Sequence, residues 1–342
     1  MLIKRIFWLN CVICFCGNVF SQDVHFSQGL NFPLLINPSL GGQYDGTSRL
    51  VAAFRNQNIS VPNSSFTGVY NTIAASYETK LFKEYTGTNS LAMGIVGTSD
   101  YAGSGTLATN DVIANVSYRL ALDRYGRSSL SAGIQGGITS RRIFSNDLLF
   151  ESQVNEFNFD PSLPNLEKYL DGSSHISPIF GIGTHYNQAL SDNSIAHIGL
   201  SIFNVTSTNN LMFTNSTASS YARINIHTGV SFDLDESMTM YPSIIYMKQG
   251  PHNQFNAGMS FQKSINDDVK LIGGLRSRIG DAFIVIAGLK YLDFQTTFSY
   301  DFTTSGLSKI NKTAGAFELN ISYIFGEKEE SYNSSKQYCP SF

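Results

Sequence analysis

The sequence predicts an all-β protein: a transmembrane antiparallel β-barrel of about 14 strands with both termini periplasmic. Three observations carry this expectation. Apolar and polar side chains alternate with a period of two along most of the chain. Charge is sparse, yet there is no long apolar run. The long connections fall at alternate positions. The alternation is clearest in 315–325, Gly-Ala-Phe-Glu-Leu-Asn-Ile-Ser-Tyr-Ile-Phe. Phe317, Leu319, Ile321, Tyr323 and Phe325 share one face of such a strand, and Ala316, Glu318, Asn320 and Ser322 the other.

Composition narrows the class. Charged residues make up 14% of the 342 residues, against roughly 25% in ordinary soluble domains. Aromatics reach 13%, with 25 Phe and 17 Tyr. No uninterrupted apolar run of about 18 residues occurs, which argues against a helical span. A lipid-facing sheet reconciles the two facts, with a secreted β-sandwich as the competing fold. The net charge of −3 gives no bulk basic character for nucleic acid.

The N-terminus reads as a signal peptide over 1–21. Lys4 and Arg5 are followed by an apolar stretch from Ile6 to Cys16, and Val19 and Ser21 precede a cut before Gln22. A lipoprotein signal is disfavoured because Phe15 and Ile13 precede Cys16 and Cys14, where a small residue is needed. The mature chain then keeps only Cys339, so neither a disulfide framework nor a cysteine metal site is available.

Alternation marks strands near 48–55, 70–80, 90–99, 110–121, 128–141, 177–187, 194–203, 222–232, 238–248, 253–262, 269–278, 281–290, 292–302 and 314–325. In 111–120, Val112, Ala114, Val116, Tyr118 and Leu120 alternate with Asp111, Asn115, Ser117 and Arg119. The longest connections, 56–69, 142–176, 204–221 and 303–313, are the first, fifth, seventh and thirteenth. Outer-membrane barrels have long extracellular loops and short periplasmic turns, so this parity implies an even strand number. Tyr101, Tyr241, Tyr291, Tyr323 and Phe325 near strand ends suit aromatic girdles, although strands favour aromatics anyway.

The barrel thus occupies 48–325, with an N-terminal periplasmic or plug segment at 22–47 and a periplasmic tail at 326–342. Its inward face carries both signs: Arg49, Arg55, Glu78, Lys80, Asp111, Arg119, Arg223, Arg276, Lys290, Asp293, Asp301 and Glu318. Such a set pairs into a network rather than an ion-selective pore. A barrel this wide admits water unless 22–47 or an infolded loop fills it.

The ends of the mature chain carry a family likeness. Gln22-Asp23-Val24-His25-Phe26-Ser27-Gln28, followed by Pro33-Leu34-Leu35-Ile36-Asn37-Pro38-Ser39-Leu40-Gly41-Gly42, resembles the opening of the PorP/SprF family. Phe54-Arg55-Asn56-Gln57 is similar to that family's Tyr-Arg-x-Gln. Gly288-Leu289-Lys290-Tyr291, Ser299-Tyr300-Asp301, Ser305-Gly306-Leu307 and Gly315-Ala316-Phe317-Glu318-Leu319 resemble its C-terminal third. Ser39 after Asn-Pro and Phe54 in place of Tyr depart from the pattern and leave the branch of the family open. The resemblance implies a non-enzymatic outer-membrane component of the Bacteroidota type IX secretion system. Its expected partners are outer-membrane lipid, periplasmic secretion-machine components and the C-terminal domain of a secreted surface protein, such as a gliding-motility adhesin.

No cofactor is expected. His-Glu-x-x-His, Gly-x-Ser-x-Gly and Walker patterns are absent, and the six His residues are dispersed. His185, His197 and His227 can line a lumen, but spacing alone makes no metal site. Asn146, Asp147, Asn155, Asn158 and Asp160 read as a solvated loop more readily than a calcium site. Candidate partner-binding residues are Phe150, Phe157, Phe159, Leu163 and Tyr169 in the fifth connection, where aromatic anchors suit an interface. Asn37, Pro38 and Cys339 are the candidates in the end segments. The competing function is a passive channel or transporter for small or hydrophobic solutes, in which 22–47 plugs a fatty-acid-channel-like barrel.

Overall fold

The computed structural model describes residues 25–57, 70–83, 89–102, 107–123, 127–144, 151–155, 158–160, 163, 174–205, 221–306, 308 and 314–326. Its strands are β1 (Ser48–Gln57), β2 (Tyr70–Lys83), β3 (Ser90–Ala102), β4 (Leu107–Ala121) and β5 (Ser128–Ile143), then two short strands, β6 (Val154–Asn155) and β7 (Asn158–Phe159). They continue with β8 (Ser174–Ser191), β9 (Ser194–Phe203), β10 (Arg223–Asp233), β11 (Met238–Gln249), β12 (His252–Ser264), β13 (Val269–Arg278), β14 (Ala282–Tyr291), β15 (Phe294–Thr303) and β16 (Ala314–Phe325). β6 and β7 pair only with each other, between β5 and β8. The other strands close into one antiparallel barrel, in which each pairs with its neighbours in sequence and β1 pairs with β16. The fold class and even strand number expected from the alternation are therefore observed.

The two faces differ as the period of two requires. Leu50, Tyr77, Ile95, Val112, Ile134, Ile182, Leu200 and Phe298 are exposed on the outside. Arg49, Glu78, Asn115, Ser131, His185, Ser201 and Ser299 are buried on the inside. Strands of 10 to 18 residues suffice to cross a hydrocarbon layer, for which about 9–11 tilted residues are needed. No helix among the described residues is long and apolar enough to do so. Tyr77, Tyr323, Phe294 and Tyr291, with Leu50 between the first two, line up across neighbouring strands, as in an aromatic girdle.

The connections divide between two ends. At the end shared by Ser48 and Phe325, here the turn end, all links are short: 84–89, 122–127, 192–193, 234–237, 265–268 and 292–293. The long links 58–69, 144–173, 204–222 and 304–313 all lie at the opposite, loop end.

Residues 25–47 form no strand. They fold as three short helical turns, Gly29–Asn31, Pro33–Ile36 and Pro38–Leu40, inside the barrel. Their local sequence explains the breaks. Pro33 and Pro38 sit at the first position of a turn, where the missing N–H is no loss. Asn37 caps the last turn, its side chain accepting from the Ser39 amide. Phe26, Phe32 and Leu34 form an apolar core with Val51, Ala53, Ala74, Val96 and Ile113 of β1 to β4. The lumen thus holds an apolar core, which the polar inward pattern of the strands did not suggest.

Candidate functional site

The site is the contact between segment 25–47 and the luminal wall. Its loop-end part is an ion cluster built on four strands. Arg55 of β1 reaches Glu318 of β16 at 3.2 Å and Asp301 of β15 at 3.1 Å. Arg278, the last residue of β13, reaches Asp301 at 2.8 Å. Two cations and two anions thus balance where none is exposed to water, the condition for tolerating buried charge. Ser27 sits at the centre. Its amide donates to Glu318 Oε2 at 2.6 Å, and the Gln28 amide donates to Oε1 at 3.0 Å. Its hydroxyl donates to Asp301 at 2.6 Å and receives Arg278 Nη2 at 2.7 Å. Arg55 Nη1 also contacts this hydroxyl.

The middle part is the Asn37–Pro38 turn. The Asn37 amide donates to Thr184 O at 2.9 Å, Leu200 O at 3.3 Å and His227 Nε2 at 3.2 Å. Its oxygen accepts from the Ser39 amide and hydroxyl. Asn115 donates to Pro38 O at 3.0 Å, while Ser201 and Asn225 donate to Ile36 O at 2.6 and 2.9 Å. Where the turn comes closest to the wall, the wall carries glycine. A Cβ on Gly183 would collide with Asn37 Oδ1, and one on Gly133 with the Pro38 carbonyl. These glycines are required by close approach. Asn37→Ala leaves buried partners unsatisfied, at about 1–3 kcal/mol. A lower temperature for loss of the compact, heat-modifiable band on gels is the expected result.

The turn-end part is a second ion pair. Arg49 Nη2 meets Glu78 Oε1 at 2.7 Å, both fully buried. The other Glu78 oxygen accepts the Gly42 amide at 3.1 Å. The Tyr44 hydroxyl donates to Glu78 O and Thr47 O, and Lys80 Nζ donates to Tyr44 O at 2.6 Å. The segment is therefore fastened at both ends and in the middle.

The residues singled out from sequence are placed as follows. Asn37 and Pro38 are buried against the barrel's own wall, where no outside partner reaches them, because the glycine-lined wall accepts the turn. Of the two places offered for segment 22–47, periplasm or plug, residues 25–44 lie in the lumen. The start of β1 and the end of β16 share one end, but residue 25 lies at the other. Leu163 is half-buried, and its carbonyl accepts from Gln153 Nε2 at 2.9 Å. Phe159 pairs with Val154 in the small hairpin. Phe150, Phe157, Tyr169 and Cys339 lie outside the described residues, as do 1–24 and the tail 327–342.

His185, His197 and His227, dispersed in sequence, do meet, with ring centroids 5.2–5.6 Å apart. They come from adjacent strands at positions of like parity. His185 Nε2 turns to Asn187 and His227 Nε2 to Asn37. Among the described residues no grouping is arranged to hold a metal ion. Ser27 and the wall glycines were not singled out from sequence. Ser27 lies within the family-like opening, which was the available signal for it.

Comparison with known proteins decides the family. The family model described as type IX secretion system membrane protein PorP/SprF matches residues 18–323. The chain belongs to the PorP/SprF family. It is accordingly an outer-membrane component of the type IX secretion system. A comparison with curated proteins gives no match. Among solved structures, the CymD monoaromatic hydrocarbon channel is 10% identical at a TM-score of 0.52, covering 92% of this chain and 96% of that one. A TodX monoaromatic hydrocarbon channel mutant (deltaS2) is 11% identical at 0.51, covering 85% and 92%. The Ralstonia pickettii toluene transporter TbuX is 10% identical at 0.50, covering 84% and 91%. At such identities the likeness is one of fold: the PorP/SprF chain shares a barrel architecture with these outer-membrane proteins.

Proposed function

We propose that this protein is a non-enzymatic binding component. It holds the C-terminal domain of an exported surface protein, of the gliding-motility adhesin kind, at the outer face of the membrane. In this reading the turn end faces the periplasm and the machine, the loop end faces outward, and the chain is cut near Ser21/Gln22. The observation that carries it is the fastened lumen. A barrel whose interior is occupied by 25–47, with buried ion pairs near both of its ends, leaves its working surfaces at the two mouths. The long connections supply the outward surface, chiefly 144–173 with its aromatic residues, and large aromatics dominate interface energetics.

The test replaces 145–173 with a short turn, keeping β5 and β8 intact. The barrel is expected to insert normally and the surface protein to be lost from the cell surface. Retention of that protein would count against the reading. A passive channel for small or hydrophobic solutes is the second reading, since the barrels of similar fold are channels and a transporter by name. Solute uptake by the purified intact protein, with no protein partner recovered, would favour it.

A further inference from the structure

The lipid face of the barrel is not evenly filled. Across β4, β5, β8 and β9 it holds an apolar depression of about 420 Å³. The register explains it. Ala132 of β5 stands beside Thr184 of β8, and Tyr118 of β4 and Leu200 of β9 flank the pair. Two small outward side chains thus lie between two large ones. Ile134 and Ile182, the next outward pair toward the loop end, also line it. The wall behind it is thin. Gly133 and Gly183 belong to the lining, and they are the glycines that meet Asn37 and Pro38 from the lumen. The same β5–β8 seam leads from the depression to the turn end. There the Ala189 amide donates to Arg127 O, and the Arg127 guanidinium pairs with Asp192 of the β8–β9 link, both side chains exposed. Tyr186 stands between, its hydroxyl donating to Gln188 Oε1 at 2.6 Å. Arg127 and Ala132 are at most about 17 Å apart along an extended strand. A bilayer leaflet, headgroups included, is about 20 Å deep.

We propose that this depression is a binding site for one phospholipid of the leaflet on the turn-end side, its acyl chain in the depression and its headgroup on Arg127 and Asp192. The surroundings set the chemistry of the tail. This surface faces hydrocarbon, and an unfilled depression leaves its lining atoms without dispersion partners. A flexible chain fills it with no polar group to desolvate. Lipid tails are as apolar as the wall, so the tail alone gains little over bulk lipid. Shape and headgroup supply the preference. An exposed guanidinium and carboxylate held side by side suit a headgroup carrying both signs, with phosphate on Arg127 and ammonium on Asp192. An exposed ion pair holds its own partner weakly, so exchange for the headgroup costs little. Tyr186 lies between the two, where tyrosines sit at the boundary of water and hydrocarbon. A lipid seated here backs the thin glycine wall from outside, opposite the turn that anchors the luminal segment. Elsewhere the wall meets lipid as solvent; here it meets one as ligand.

The experiment adds dioleoylphosphatidylethanolamine to the purified intact protein in detergent and counts retained lipid by native mass spectrometry. One lipid per barrel is expected. Ala132→Phe fills the depression and should abolish retention. Ala287→Phe, the same change on the outward face of β14, should not. Arg127→Gln should weaken retention by up to about fivefold, the size of one exposed charge contact. Lys263→Gln, an exposed charge at the same end on β12, is its control and should have no effect. Dioleoylglycerol, with the same tails and no phosphate, should be retained less than the phospholipid. Thr184→Phe is the second filling variant should Ala132→Phe not migrate as a folded barrel. Retention unchanged by filling, or lost equally in Ala287→Phe, overturns the inference. Equal retention of dioleoylglycerol, or no effect of Arg127→Gln, overturns the headgroup assignment. In native membranes, p-benzoylphenylalanine in place of Leu200 should give photo-adducts of phospholipid mass. A protein-sized adduct there would assign the depression to a membrane partner and overturn the lipid site.

Discussion

Excision of residues 25–43, replaced by a Gly-Ser linker that keeps β1 in frame, is expected to turn an electrically silent barrel into a conducting pore. Eight strands enclose a space that side chains alone fill, and the diameter grows with strand number. In this larger barrel the filling comes from Phe26, Phe32, Leu34 and the Asn37–Pro38 turn. Apart from the apolar patch on β1 to β4, the wall is polar: Asn115, Ser131, Ser201, Asn225, Asn256 and Ser299 all face inward. Once the segment is gone these groups take water as partner, and the lumen hydrates. Stable current steps in a planar bilayer, absent from the intact protein, are the expected reading. A variant that stays silent would mean that another part of the chain closes the lumen.

The second large effect is expected from Glu318→Leu. This carboxylate holds Arg55 across the β1–β16 pair and accepts the Ser27 and Gln28 amides and the Asn320 amide. Its removal leaves Arg55 facing only Asp301, which it shares with Arg278, and leaves two backbone donors without acceptors. Breaking a buried ion pair in this way costs about 3–5 kcal/mol. The denaturant midpoint for unfolding of the detergent-solubilised barrel should fall accordingly. The double variant Arg55→Met/Glu318→Leu removes the orphaned charge as well and should lose less than the single one, since apolar replacement of both partners is often tolerated. Equal loss in single and double variants would show that the amide contacts, not the ion pair, dominate. Asn37→Ala, lacking any charge imbalance, is expected to be the mildest of the luminal changes.

The wall was legible in the sequence because a two-sided strand writes its environment into every second residue. The alternation of Val112 to Leu120 against Asp111 to Arg119 locates β4, and the same pattern marks each barrel strand. Ends were less legible. β8 begins at Ser174 and β4 at Leu107, beyond the alternating stretch, because strands extend past the apolar zone where lipid no longer selects side chains. The parity of connections held for the four longest, while 103–106, 250–251 and 279–281 show that the loop end also carries tight links. The luminal segment was harder to read. Its partners are long-range: Ser27 with Glu318, and Asn37 with His227, lie hundreds of positions apart or nearly so. Local periodicity carries no trace of such pairs. Gly133 and Gly183 look like ordinary strand glycines until the turn that fills their missing side chains is in place.

The seam between the first and last barrel strands has one more consequence. Arg55 lies directly opposite Glu318 in that pairing, and a slip of one residue would turn the carboxylate outward into lipid. Only the correct alignment brings it to the waiting amides of Ser27 and Gln28. Alignment of the closing seam and seating of the cork therefore reinforce each other, although the backbone ladder between β1 and β16 is complete without the cork.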